Sequence, residues 1–146
     1  MYCSSKSRSL ISIAILVIFI LQTNLLKAHA HAIFEINNVS SSEGYVVLHL
    51  YENKTSFKKF NPDRIYKKVA TKGKTIIPIN DYHEGDIAIF VFHDENSDEE
   101  FNTSIFWTPK EGYAYSNSYI PTSIPKYEEA LFRLEHGVAV NLELIY

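Results

Sequence analysis

From residue 32 onward, apolar and polar side chains alternate with a period of two, the spacing of strands buried on one face. The pattern predicts strands over 32–39, 45–51, 65–70, 75–79, 86–93, 130–134 and 138–146. In 45–51, Val46, Leu48 and Leu50 share one face; in the last strand Val138, Val140, Leu142 and Leu144 do so. The segment 86–93 (DIAIFVFH) is apolar on both faces, which predicts a central strand covered on both sides. Lys67 and Lys68 give 65–70 an edge character, and Pro78, lacking an N–H, places 75–79 at an edge or ends it early. A polar loop over 53–62 carries Phe57 and Phe60 and has room for a short helix. No long segment shows a 3.6-residue period. The expected fold is therefore all-β: an antiparallel immunoglobulin- or prealbumin-like sandwich of about seven strands.

One stretch departs from the alternation. Residues 94–129 show little strand pattern, and loops of such length are uncommon in compact domains unless they serve a function. This one holds Phe101, Phe106, Trp107, Tyr113, Tyr115, Tyr119 and Tyr127, too many aromatics for a disordered linker. It is expected to pack over the second apolar face of 86–93.

The first thirty residues follow a different grammar. Lys6 and Arg8 precede the apolar run 10–21, and Ala28-His29-Ala30 supplies small residues for a cleavage site. These are the parts of a secretory signal peptide, and the run is short against the ~20 residues of a membrane span. Cleavage after Ala30 would leave 31–146 as the β-sandwich domain, periplasmic or secreted, touching a membrane only during export. Cys3 would leave with the leader, so neither a disulfide nor a thiol nucleophile would remain.

Charge narrows the partners. Without Lys6, Arg8 and Lys27, 11 of the 14 basic residues remain against 17 acidic ones, which argues against nucleic acid. The sequence contains neither a G-x-S-x-G nucleophile elbow nor an H-E-x-x-H zinc helix, and His93-Asp94, adjacent on a strand, point to opposite faces. A non-catalytic protein is expected, with an unrecognised hydrolase as a remote alternative.

Several words in the sequence prompt a comparison. Val91-Phe92-His93-Asp94-Glu95-Asn96, Pro109-Lys110-Glu111-Gly112-Tyr113, Ser116-Asn117, Tyr127-Glu128-Glu129-Ala130 and a final Tyr146 follow one another in order. In this the chain resembles the bacterial family of domain of unknown function 2141. The resemblance implies export and a β-rich domain but no activity. The corresponding family segment reads D-x-N-x-N-G-x-L-D; here Glu99 stands for the glycine and Asn102 for the later aspartate.

Three constellations could carry chemistry. Asp94, Asn96, Asp98 and Asn102 fall at positions one, three, five and nine of a calcium-type loop, where alternate oxygens converge on one cation. Position six lacks glycine and position twelve is Ile105, so Glu111 could supply the missing carboxylate only if the chain folds back. The alternative is an Asn/Asp-rich turn whose side chains bond their own backbone. Second, cleavage would expose His31, whose amine and imidazole could chelate copper with His49, His83, His93 or His136. Third, Trp107, Tyr113, Tyr115 and Asn117 could form a sugar or peptide platform, or else cap the sandwich as a satellite core.

Overall fold

The computed structural model describes residues 32–105 and 108–146. The described residues form eight strands: β1 (Ala32–Val39), β2 (Tyr45–Tyr51), β3 (Arg64–Val69), β4 (Gly73–Ile79), β5 (Gly85–Asp94), β6 (Tyr113–Tyr115), β7 (Leu131–Leu134) and β8 (Ala139–Glu143). Two short helices, α1 (Lys54–Lys58) and α2 (Tyr127–Ala130), and a 3-10 turn at Ser116–Ser118 complete the described elements.

The strands form two sheets. One has the order β4-β1-β8; the other runs β3-β2-β5, with β6 and β7 both along the free side of β5. Between them lie Phe34 and Ile36 of β1, Val46, Leu48 and Leu50 of β2, Ile77 and Ile79 of β4, and Ile87, Ile89 and Val91 of β5. Each is the inward half of an alternating strand, so burying one face of every strand builds a shared core. Strand β5 is central as expected, β3 and β4 are edges, and Pro78 sits opposite Ile33 without breaking the pairing.

Two features exceed the sequence expectation. Strand β6 is an added strand within the long loop. The sandwich is also not wholly antiparallel, because β1 and β8 pair in parallel, from Ile33 opposite Ala139 to Asn37 opposite Glu143. Parallel neighbours need a long connection, and first and last strands have the whole domain between them to supply it.

The second face of β5 carries its own core. Ala88, Phe90 and Phe92 pack with Val47, Tyr51, Phe57, Tyr115 and Ala130, and with half-buried Phe101, Tyr113, Tyr119 and Tyr127. Phe90 lies 4.8 Å from the Tyr115 ring and 5.0 Å from Phe101, centroid to centroid. The long aromatic loop thus covers β5, as its composition required. Where β6 and β7 part, Ile89 lacks a strand partner on that side. Buried Ser116 fills the gap, its hydroxyl accepting from Ile89 N–H at 2.8 Å and donating to Ala130 C=O at 2.5 Å.

Candidate functional site: a carboxylate cluster at the end of β5

Strand β5 carries its last residue, Asp94, into the interior with none of its surface exposed. The turn that follows is organised around it. Asp94 Oδ1 accepts from Asp98 N–H and Oδ2 from Glu99 N–H, both at 3.1 Å. Asn96 Oδ1 accepts from Asp98 N–H at 3.1 Å, and Asp98 Oδ1 from Glu100 N–H at 2.9 Å. The tight path puts Ser97 at φ 62° and Glu99 at φ 65°, both left-handed. Position six therefore adopts the conformation that glycine would favour, although Glu99 occupies it. Its carboxylate reaches across to Lys67 Nζ at 2.7 Å, an anchor that partly offsets the backbone cost.

The chain then folds back. A narrow hairpin with Thr103 opposite Pro109 is closed by Lys110 N–H to Asn102 C=O at 3.0 Å. It delivers Glu111, itself buried, to the same turn, where Oε2 accepts from Asn102 N–H at 2.9 Å. As a result Asp94, Asp98 and Glu111 each present a carboxylate oxygen within 4.8 Å of the other two. Burial, and then the charges of Asp94, Asp98 and Glu95, raise the Glu111 carboxyl above its ordinary value, against the opposing bond from Asn102. Asp98 moves the other way, held low by Glu100 N–H and by the amides of Asn102 and Asn96.

Of the four loop residues that spacing singled out, two join the cluster directly. Asn96 and Asn102 instead direct their amide nitrogens at Asp98 Oδ2, at 2.7 and 2.9 Å. An ionised carboxylate has about four acceptor directions, so oxygens that hold backbone N–H groups retain capacity for a cation. The arrangement is both an Asx-type turn and a set of three convergent oxygens, two from the turn and one from the returning chain.

A second network abuts the first. His93, fully buried, has Nε2 at 2.9 Å from Glu43 C=O, which can only accept a hydrogen bond, so Nε2 carries the hydrogen, and in the neutral ring Nδ1 accepts from the Tyr146 hydroxyl at 2.9 Å. Tyr146 oxygen also accepts from Ser40 N–H at 2.9 Å. The Tyr146 ring lies over Gly112, where a Cβ would come within 2.3 Å of Cζ. Gly44 is similarly constrained: at φ 65°, its Cβ would come 1.9 Å from Asp94 C=O. Sequence reasoning missed this network; the closing aromatic and the H-D and E-G pairs were its only trace.

The other candidates separate. Tyr115 is buried within the aromatic cap and Tyr113 is half-buried there, while Asn117 is exposed at φ 63° with its amide on Glu129 C=O. Trp107 and His31 lie outside the described residues, as does the leader-like segment. Among the proposed partners of His31, His93 has both nitrogens engaged. His49 is packed against Phe90 and Phe92 and is pushed down to about 4 by burial, so it is neutral at pH 7. His136 pairs with Glu84 at 3.3 Å, and His83 is exposed. Among the described residues no helix is long and apolar enough to cross a membrane.

Three of the words that carried the resemblance therefore meet in space, through His93 and Asp94, Glu111 and Gly112, and Tyr146, while Ser116-Asn117 meets Glu129-Ala130 beside the aromatic cap. No curated protein and no solved structure matches the chain. A family model described as an uncharacterized protein conserved in bacteria, domain of unknown function 2141, matches residues 34–141, and the chain belongs to that family.

Proposed function

We propose that the protein is an exported, non-catalytic β-sandwich module whose loop after β5 binds calcium weakly, the ion acting on order rather than chemistry. The observation that carries this reading is the meeting of the Asp94, Asp98 and Glu111 oxygens within 4.8 Å. Two buried carboxylates and an exposed one, brought together without a cation, repel one another, and hard Ca²⁺ takes carboxylate oxygens in flexible geometry. Bound there, the ion would tie the end of β5 to the turn and to the returning hairpin, and so fix one side of the aromatic cap. Export rests on the leader-like residues 1–30; amino-terminal sequencing of the protein recovered outside the cytoplasm checks it, with a start at His31 expected.

Thermal unfolding at pH 7 tests the calcium reading. Calcium at tenfold above the dissociation constant should add about 1.4 kcal/mol, raising Tm by several degrees. Magnesium at the same concentration controls for ionic strength. The combined Asp98→Asn and Glu111→Gln substitutions preserve shape and should abolish the shift. No shift at millimolar calcium, or one that survives both substitutions, would reject the reading.

A further inference from the structure

Beside the aromatic cap, α1 and the segment leading into α2 border an open groove of about 450 Å³. That is within the size of small-molecule sites. Its apolar jaws are Phe60 and Ile124, 62 % and 80 % exposed, on two separate stretches of chain. Three ammonium groups, Lys54, Lys58 and Lys126, surround them. Glu128 pairs with Lys54; Lys58 and Lys126 have no ion-pair partner among the described residues. Glu128 also feels the charge of Lys58, so three lysines face one carboxylate and the lip is positive on balance around an apolar cleft.

The backbone singles out Phe60 further. Its N–H bonds Phe57 C=O at 3.1 Å, and Asn61 N–H bonds Ser56 C=O at 3.0 Å, the two bonds that close a helix through a left-handed residue. Phe60 is that residue, at φ 51°. Glycine is the usual occupant, and a bulky side chain there is an outlier. The chain thus holds a phenyl ring in an unfavourable conformation and leaves most of it in water. Local stability favours neither choice, and strain of this kind gathers at ligand sites.

We propose that this groove binds a small organic anion with an alkyl body, its headgroup among Lys54, Lys58 and Lys126 and its chain between Phe60 and Ile124. Isothermal titration of the full chain with dodecanoate, below its micellar concentration, tests the assignment. Acetate supplies the headgroup alone, and dodecyltrimethylammonium the same chain with the opposite charge. Saturable one-to-one binding of dodecanoate, at least tenfold tighter than either control, is expected. Combining Lys58→Glu with Lys126→Glu should weaken it tenfold or more. Phe60→Gly should weaken it while raising Tm, a combination that a merely structural ring would not give. Equal binding of the two dodecyl ions, or dodecanoate binding unchanged by Phe60→Gly or by the lysine substitutions, would overturn the proposal.

Discussion

Replacing Glu111 by Gln removes one negative charge from the turn after β5 and keeps the side-chain length. The amide oxygen can still accept from Asn102 N–H, now 2.9 Å from Oε2. At the 4.8 Å limit that bounds the three carboxylate oxygens, Coulomb's law gives about 3.5 kcal/mol of repulsion between Glu111 and Asp94 at an effective dielectric near 20, and about 0.9 in bulk water. Asp94 and Glu111 are buried, so this pair lies between the two figures and toward the higher, while exposed Asp98 is screened by solvent. Against this stands a weaker hydrogen bond to a neutral acceptor, costing about 1 kcal/mol. The expected net effect without calcium is stabilisation by about 1–2 kcal/mol at pH 7. The dependence on pH has a definite sign. The Glu111 carboxyl titrates above its ordinary value of 4.5 in the folded chain, so the native state holds the proton more tightly. Its contribution is full below that ordinary value and is lost as pH rises through the folded one. Chemical denaturation in chelator from pH 4 to 8 should therefore show Glu111→Gln overtaking the parent as pH rises, and saturating calcium should reverse the order. Destabilisation by the substitution at pH 7 in chelator would refute the crowding argument.

Other expectations concern the frame that holds the cluster. Glu99→Gly should be more stable than Glu99→Ala by about 1 kcal/mol in urea unfolding, the reverse of the usual ranking, because φ is 65° there. Ser116→Ala leaves Ile89 N–H and Ala130 C=O unmet in the interior and should cost about 1–3 kcal/mol by the same measurement. Gly112→Ala should drive the Tyr146 ring off its seat, visible as a changed His93 imidazole resonance, whereas Tyr146→Phe removes only the hydroxyl bonds and should cost about 1 kcal/mol.

Strand positions and burial were legible because each depends on local alternation. The apolar inward set of β2, the doubly buried β5 and the edge character of Lys67, Lys68 and Pro78 could all be read directly. The loop of 94–129 was legible only in outcome, since aromatic content says that a segment packs but not where. Its short β6 escaped because Tyr113-Ala114-Tyr115 is too brief for periodicity to register. The parallel pairing of β1 with β8 depends on chain closure over the whole domain and leaves no local mark. At the site, spacing found Asp94 and Asp98, and the conditional role of Glu111 followed from the need for another carboxylate. Glu99 looked disqualifying because sequence reasoning treats glycine as required at a left-handed position. The structure places Glu99 there at φ 65°, with its carboxylate on Lys67. The His93–Tyr146 contact spans 53 residues and rests on a histidine tautomer, information that only the folded chain contains.

The most direct test of the calcium account is a crystal structure of the protein grown in millimolar calcium. A cation should appear with oxygens of Asp94, Asp98 and Glu111 at about 2.3–2.6 Å. The same three carboxylates facing only water, with Glu111 still bonded to Asn102 and no ion between them, would contradict it.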